Sequence, residues 1–336
     1  MKKLDFKTIK NGNQFRSAPF WAWNGKLDPE EVRRQVRIMH DMHMGGFFMH
    51  SRAGLATEYL GTEWFDCINA AIDEAKKLNM HASLYDEDRW PSGAAGGIVT
   101  KDKRYRMRYL EEYDIHADIP GEPDDYRLLN IFALELDAAG QVISYRQAAA
   151  DEILPGNWCL KKYIVRIANN SPAYNDAAYL DTTSAEAVQA FIESTHEKYY
   201  QECGAEFGKC VQYFFTDEPN YLDLASPERR PWNRDLPKLF TQSTNADLLD
   251  SLPELFHGCG KKFSSVRYNY YRIMSRLFAD TFMKMIGEWC EKHQIKLTGH
   301  VLREDTLSAQ VLSIGSAMPC DRLERQATLY ACLVYK

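Results

Sequence analysis

One pattern constrains this chain more than any other. A short apolar run is followed by a segment of helical period, and the pair recurs along the sequence. The runs are 18–24 (APFWAWN), 47–50 (FFMH), 81–86 (HASLYD), 211–216 (VQYFFT) and 295–300 (IKLTGH). Near-continuous apolar runs of this length suit strands covered on both faces. The first helical segment opens with Asp28 as a cap, Pro29 in the first turn and Glu30 and Glu31 at the positive helix end, and runs to about residue 43. Val32, Val36 and Met39 mark its inner face. Further helices are predicted over 62–79, 183–203 and 264–293. Strands separated by helices imply right-handed crossovers and a parallel sheet.

Polar residues gather just after each run: Asn24; His50, Ser51 and Arg52; Asp86 through Arg89; Asp217 and Glu218; His300 with Arg303, Glu304 and Asp305. That is how a (β/α)8 barrel builds its site, at the C-terminal ends of its strands. The expectation is therefore an α/β fold, a TIM-type barrel truncated to about five or six strand–helix units over 15–316. A doubly wound open sheet is the runner-up, but WAWNGKLD is no glycine-rich phosphate turn. Between 104 and 170 the period changes to strand alternation around an Ala-Gly turn, which predicts a small antiparallel β insertion. Residues 220–262 read as loops and short helices. After Glu304 too little chain remains for three further units. Residues 317–336 read as an aberrant or unstructured tail, and the whole as a fragment.

Composition narrows the partners. A net charge of −6 gives no footprint for nucleic acid or an anionic membrane. No run of about 18 apolar residues is present. The first residues are basic with no apolar stretch behind them, so no signal peptide is read and a cytoplasmic location is expected. The eight cysteines form no CxxC pair and read as reduced, buried thiols. No P-loop, GxGxxG turn or GxSxG elbow occurs, which argues against a nucleotide cofactor. His40 and His43 lack the acid of a zinc-protease motif and read as surface or packing residues.

Three clusters could carry chemistry. Asp217-Glu218-Pro219 follows an aromatic strand, where apolar walls would suit Glu218 to proton donation; the plainer reading is a helix cap. Glu304-Asp305 could face the same cavity, or cap the next helix. Two carboxylates flanking a glycosidic bond are the common arrangement for its hydrolysis. In Asp86-Glu87-Asp88-Arg89-Trp90, three neighbouring acids must be paired, with Arg89 for instance, or bridged by a cation such as Ca²⁺. Trp90 offers a flat face to a sugar ring, and Trp23, Asn24, His50, Arg52 and His300 complete a hydrogen-bonding rim with Asp86, Asp88, Arg89 and Asp217.

Taken together, PFWAWNGKLDPEEVRRQ, GGFFMHSRAGL, EWFDCINAAIDEAKKL, LYDEDRWPSGAAGG, FFTDEP and LTGHVLRED resemble, in order over about residues 15–315, the catalytic barrel of glycoside hydrolase family 106, the alpha-L-rhamnosidase-like proteins. The resemblance implies a barrel followed by β-sandwich domains, inverting hydrolysis by two glutamates, and a calcium ion near the sugar hydroxyls. Carried over by motif, Glu218 is the acid and Glu304 the base, acting on an α-L-rhamnoside or related plant glycan. Chain length departs from the family, whose members continue far beyond GSAM. Two other readings stay open: a carbohydrate-binding remnant without turnover, and a metal-dependent barrel enzyme that uses Asp86 to Asp88.

Overall fold

The computed structural model describes residues 16–222, 226, 228–302, 306 and 314. Five strands form one parallel sheet in the order β1 (Phe20–Gly25), β2 (Gly46–Leu55), β3 (His81–Tyr85), β8 (Tyr213–Asp217) and β10 (Lys296–His300). Strand alternation gives this sheet two different faces. Trp23, Phe47, Met49, Leu84, Phe214 and Leu297 point into the main core. Phe20, Phe48 and Phe215 point the other way, with ring centroids 4.7–5.6 Å apart, and half of Phe20 stays exposed (50%).

The helices follow from their caps and apolar stripes. In α1 (Pro29–Asp41), Asp28 accepts from the N–H groups of Glu30 and Glu31, and Val32, Val36 and Met39 are buried. In α2 (Thr62–Lys77), Trp64 is 1% exposed, packs edge-on against Trp23 at 5.1 Å and donates to the Tyr199 hydroxyl at 3.1 Å. That bond ties α2 to α4 (Glu197–Cys203), which a π-helical turn, Ile192–His196, joins to α3 (Ala185–Phe191). Beyond α5 (Leu236–Thr244), the predicted long helix is α6 (Ser265–Phe278), a second π-helical turn (Ala279–Met283) and α7 (Lys284–Lys292), capped by Ser264.

The second sheet is antiparallel, ordered β6 (Val142–Gln147), β5 (Tyr126–Leu136), β7 (Trp158–Ile167), β4 (Arg108–Asp114) and β9 (Arg230–Trp232). Between β5 and β6, the Asp137 carboxylate caps the turn by accepting from Ala139 N and Gln141 N. Within this sheet Arg166, 2% exposed, donates to Glu111 at 2.7 Å, and Arg229 binds the second Glu111 oxygen at 2.8 Å.

This architecture corrects the expected (β/α)8 barrel. Among the described residues the parallel strands stay an open sheet with β1 and β10 at its edges, and as many strands lie in the antiparallel sheet. The reason is the connections. Parallel neighbours need crossovers of a dozen or more residues, whereas short turns such as that after Leu136 join only antiparallel ones. β9, from a stretch read as loops and short helices, extends the antiparallel sheet by pairing with β4. The runner-up also fails, because the parallel strands follow sequence order without reversing. The cysteines among the described residues are free thiols, and no described helix is long and apolar enough to cross a membrane.

Candidate active site

The aromatic face of the parallel sheet turns polar at the C-terminal ends of its strands. Two residues after Phe215 comes Asp217, and two after Phe48 comes His50, so alternation carries both onto this face. Register sets Asp217 beside His300. Gly299 makes the pairing possible. Its φ is +148°, and a Cβ there would lie 2.1 Å from the Thr216 carbonyl.

Asp217 is the hub. His300 Nε2 lies 3.0 Å from Oδ1, and the Tyr85 hydroxyl lies 2.8 Å from Oδ2 and 2.6 Å from the Arg89 carbonyl. Burial raises the Asp217 carboxyl, but the hydrogen bonds from His300 and Tyr85 outweigh it and hold the group below its ordinary value. His50, 3% exposed, packs on Tyr85 with ring centroids 3.7 Å apart. Burial, helped by the Arg52 charge, pushes its imidazole down to about 4, so it is neutral at pH 7.

Glu218 follows with φ +48°, a left-handed backbone that strains a side-chain-bearing residue by about 1–3 kcal/mol. Its N–H still reaches the His300 carbonyl at 3.0 Å. The twist turns its carboxylate toward Trp90, whose Nε1 donates to Oε2 at 2.7 Å. On the other side His300 Nδ1 lies 3.7 Å from Oε1. His300 is therefore set between two carboxylates. Nε2 thus faces Asp217 and Nδ1 faces Glu218.

The three neighbouring acids solve their repulsion separately, the first two by donors of their own loop and the third by β2 and Arg89. Asp86 is fully buried and accepts from Ser92 Oγ at 2.5 Å, and Ser92 in turn accepts from Asp217 N at 2.7 Å. Burial pushes the Asp86 carboxyl well above its ordinary value, and its second oxygen lies 3.8 Å from the equally buried His196. Glu87 accepts from the backbone N–H groups of Asp88, Gly93, Ala94, Ala95 and Gly96; burial nonetheless raises it to about 7. Asp88 accepts from Ser51 Oγ at 2.5 Å. Arg89 also pairs with Asp88, its Nε 4.0 Å from Oδ1, and donates to Asn175 Oδ1 at 3.0 Å, and Trp90 precedes a cis Pro91.

This donor set does not suit a calcium ion. Among the described residues no three His, Cys, Asp or Glu side chains converge as a metal would need. Both Glu87 oxygens are already filled by N–H groups, so the expected cation at the 86–88 acids has no ligand cage.

Of the residues singled out in the sequence, the structure brings together His50, Trp90, Asp217, Glu218 and His300. Asn24 and Arg52 are exposed at the ends of their strands, and Asp88 and Arg89 form the outer loop. Trp23 is not brought to the cluster; at 2% exposed it faces the helices. Asp86 lies beneath the site. Glu304 lies outside the described residues. Tyr85 and Ser92 were missed as site residues. Alternation signals the first, since Tyr85 falls on the face shared by His50 and Asp217, while only the loop's closure onto β8 reveals the second.

No family model matches this chain, and no curated protein does. Among solved structures it is similar to a rhamnosidase from Novosphingobium sp. PP1Y, with a TM-score of 0.61 and 12% identity over 90% of this chain. The chain spans about half of that protein, 48% of its length. At this identity the likeness is one of fold.

Proposed function

We propose that this chain is a glycoside hydrolase unit in which Glu218 moves the proton, with an α-L-rhamnoside or a related plant glycan as substrate. One observation carries the reading: Glu218 sits at the end of a parallel strand, oriented on one side by the Trp90 indole N–H and faced on the other by His300, which Asp217 holds. A fold shared with a rhamnosidase supports it.

The chemistry follows from that arrangement. Glu218 gives its proton to the glycosidic oxygen as the bond to the anomeric carbon breaks, and the leaving group departs as an alcohol. Water then attacks the anomeric carbon, and its proton passes to an opposing carboxylate, for which we propose Glu304. Attack by water rather than by protein inverts the anomeric configuration. His300 faces Glu218 through Nδ1, and once solvent has protonated that nitrogen it can return the proton to Glu218 after turnover, while Asp217 keeps the ring oriented. The exposed part of Trp90 offers a flat apolar surface to the C–H face of a sugar.

The test is release of nitrophenol from a panel of 4-nitrophenyl glycosides, α-L-rhamnoside included, with Glu218→Gln beside the wild type. The variant should lose turnover by part of the roughly 10²- to 10⁴-fold that general acid catalysis supplies, nitrophenolate being a fair leaving group, while still binding sugar. A folded wild type that binds glycans and turns over none of the panel would leave only a binding protein. Undiminished turnover by Glu218→Gln would remove Glu218 from the reaction.

A further inference from the structure

The loop after β3 closes around a carboxyl group of its own. Ala95, Gly96 and Gly97 follow one another at φ +50°, +61° and +87°, and Gly93 has φ +136°. The step from right-handed Ala94 (φ −91°, ψ −13°) to left-handed Ala95 turns successive backbone N–H groups toward one point and makes an anion-binding concavity. Here the occupant is the Glu87 carboxylate: Gly93, Ala94 and Ala95 donate to Oε2 at 2.6–2.8 Å, and Asp88 at 2.8 Å and Gly96 donate to Oε1. Glu87 is only 2% exposed. Packing fixes the same loop from outside, because a Cβ on Gly96 would lie 2.9 Å from Asp88 Cβ and one on Gly97 2.6 Å from Ala177 Cβ. Trp90 projects from this loop, between Glu87 and its donors, and its Nε1 reaches Glu218.

We infer that Glu87 is a positioning residue: by filling the concavity made by residues 93–96, its carboxylate fixes Trp90, and through Trp90 it orients Glu218. The inference rests on the reading of Glu218 as the reacting carboxylate. The concavity is filled from within, so the loop serves the site as a rigid mount and not as a receptor for an outside phosphate. Glutamine at 87 keeps the size of the side chain, but it replaces one acceptor oxygen with a donor that faces N–H groups.

Two measurements on the purified chain test this without turnover. Amide exchange in the wild type should show Gly93 to Gly96 protected, and in Glu87→Gln their exchange should quicken roughly tenfold or more. The Trp90 indole N–H resonance, assigned by its absence from Trp90→Phe, should move in Glu87→Gln and in Glu218→Gln alike. Unprotected amides at 93–96 in the wild type overturn the inference even if Glu87→Gln does not fold, and so does an unmoved Trp90 resonance in a folded variant. Where the wild type turns over a glycoside, kcat of Glu87→Gln should fall about tenfold to hundredfold with KM within about twofold, as for a misplaced reacting group; an unchanged kcat overturns the inference. A wild type with no turnover removes the proposed function alone, and the exchange and resonance results still decide the role of Glu87.

Discussion

At the scale of single residues, charge is placed by hydrogen bonding rather than by solvent. Asp217 stays ionised because His300 and Tyr85 hold it, while His50 beside it is kept neutral by burial and by Arg52. The second effect gives a signed expectation. The imidazole titrates near 6.5 when unfolded and near 4 when folded, so the unfolded chain takes up the proton first as pH falls. The stability His50 contributes is whole above about pH 6.5 and is lost as pH drops toward 4. Urea unfolding of wild type and His50→Gln at several pH values should show the wild-type advantage shrinking from pH 7 to 5. A constant gap would mean that His50 is not held neutral.

At the scale of elements, close approach of strands places the site, and glycine permits it. Gly299→Ala would set a methyl carbon against the Thr216 carbonyl at a φ that side chains avoid. It should cost about 3–5 kcal/mol, in the range of severe backbone and overpacking lesions, read from the denaturant midpoint; a loss under about 0.5 kcal/mol would show that β10 and β8 can part without cost. The elements were also the most legible level. The cap at Asp28, the stripe of Val32, Val36 and Met39, and the apolar runs of the parallel strands depend on neighbours in sequence, where composition speaks directly. Trp23 and Asn24 show the limit. Adjacent in sequence, they read together as rim residues, yet period-two geometry sends the indole to the helices and leaves the amide at the strand end. Asp86 and Glu87 show a second one: three acids in a row suggest repulsion or a metal, whereas the donors that satisfy the first two lie in a loop whose closure is tertiary.

At the scale of the whole molecule, an open parallel sheet and an antiparallel sheet share one chain. The expected barrel gave way because β5, β6 and β7 are joined by turns, and because β9 crosses to β4 over more than a hundred residues. Such long-range pairing leaves no trace in local period. The helix-covered face of the parallel sheet supplies core, with Trp64 bridging α2 and α4, while the opposite face carries phenylalanines that lead up to Asp217, His300 and Glu218. The central claim, that Glu218 donates the proton to the departing glycosidic oxygen, is tested most directly by leaving-group dependence. Wild type and Glu218→Gln are compared on 2,4-dinitrophenyl and methyl α-L-rhamnosides. The dinitrophenolate leaves unprotonated, so the variant should keep most of its activity on that substrate and lose about 10²- to 10⁴-fold on the methyl glycoside. Equal losses on the two, or none on either, would contradict the assignment of Glu218 as the proton donor.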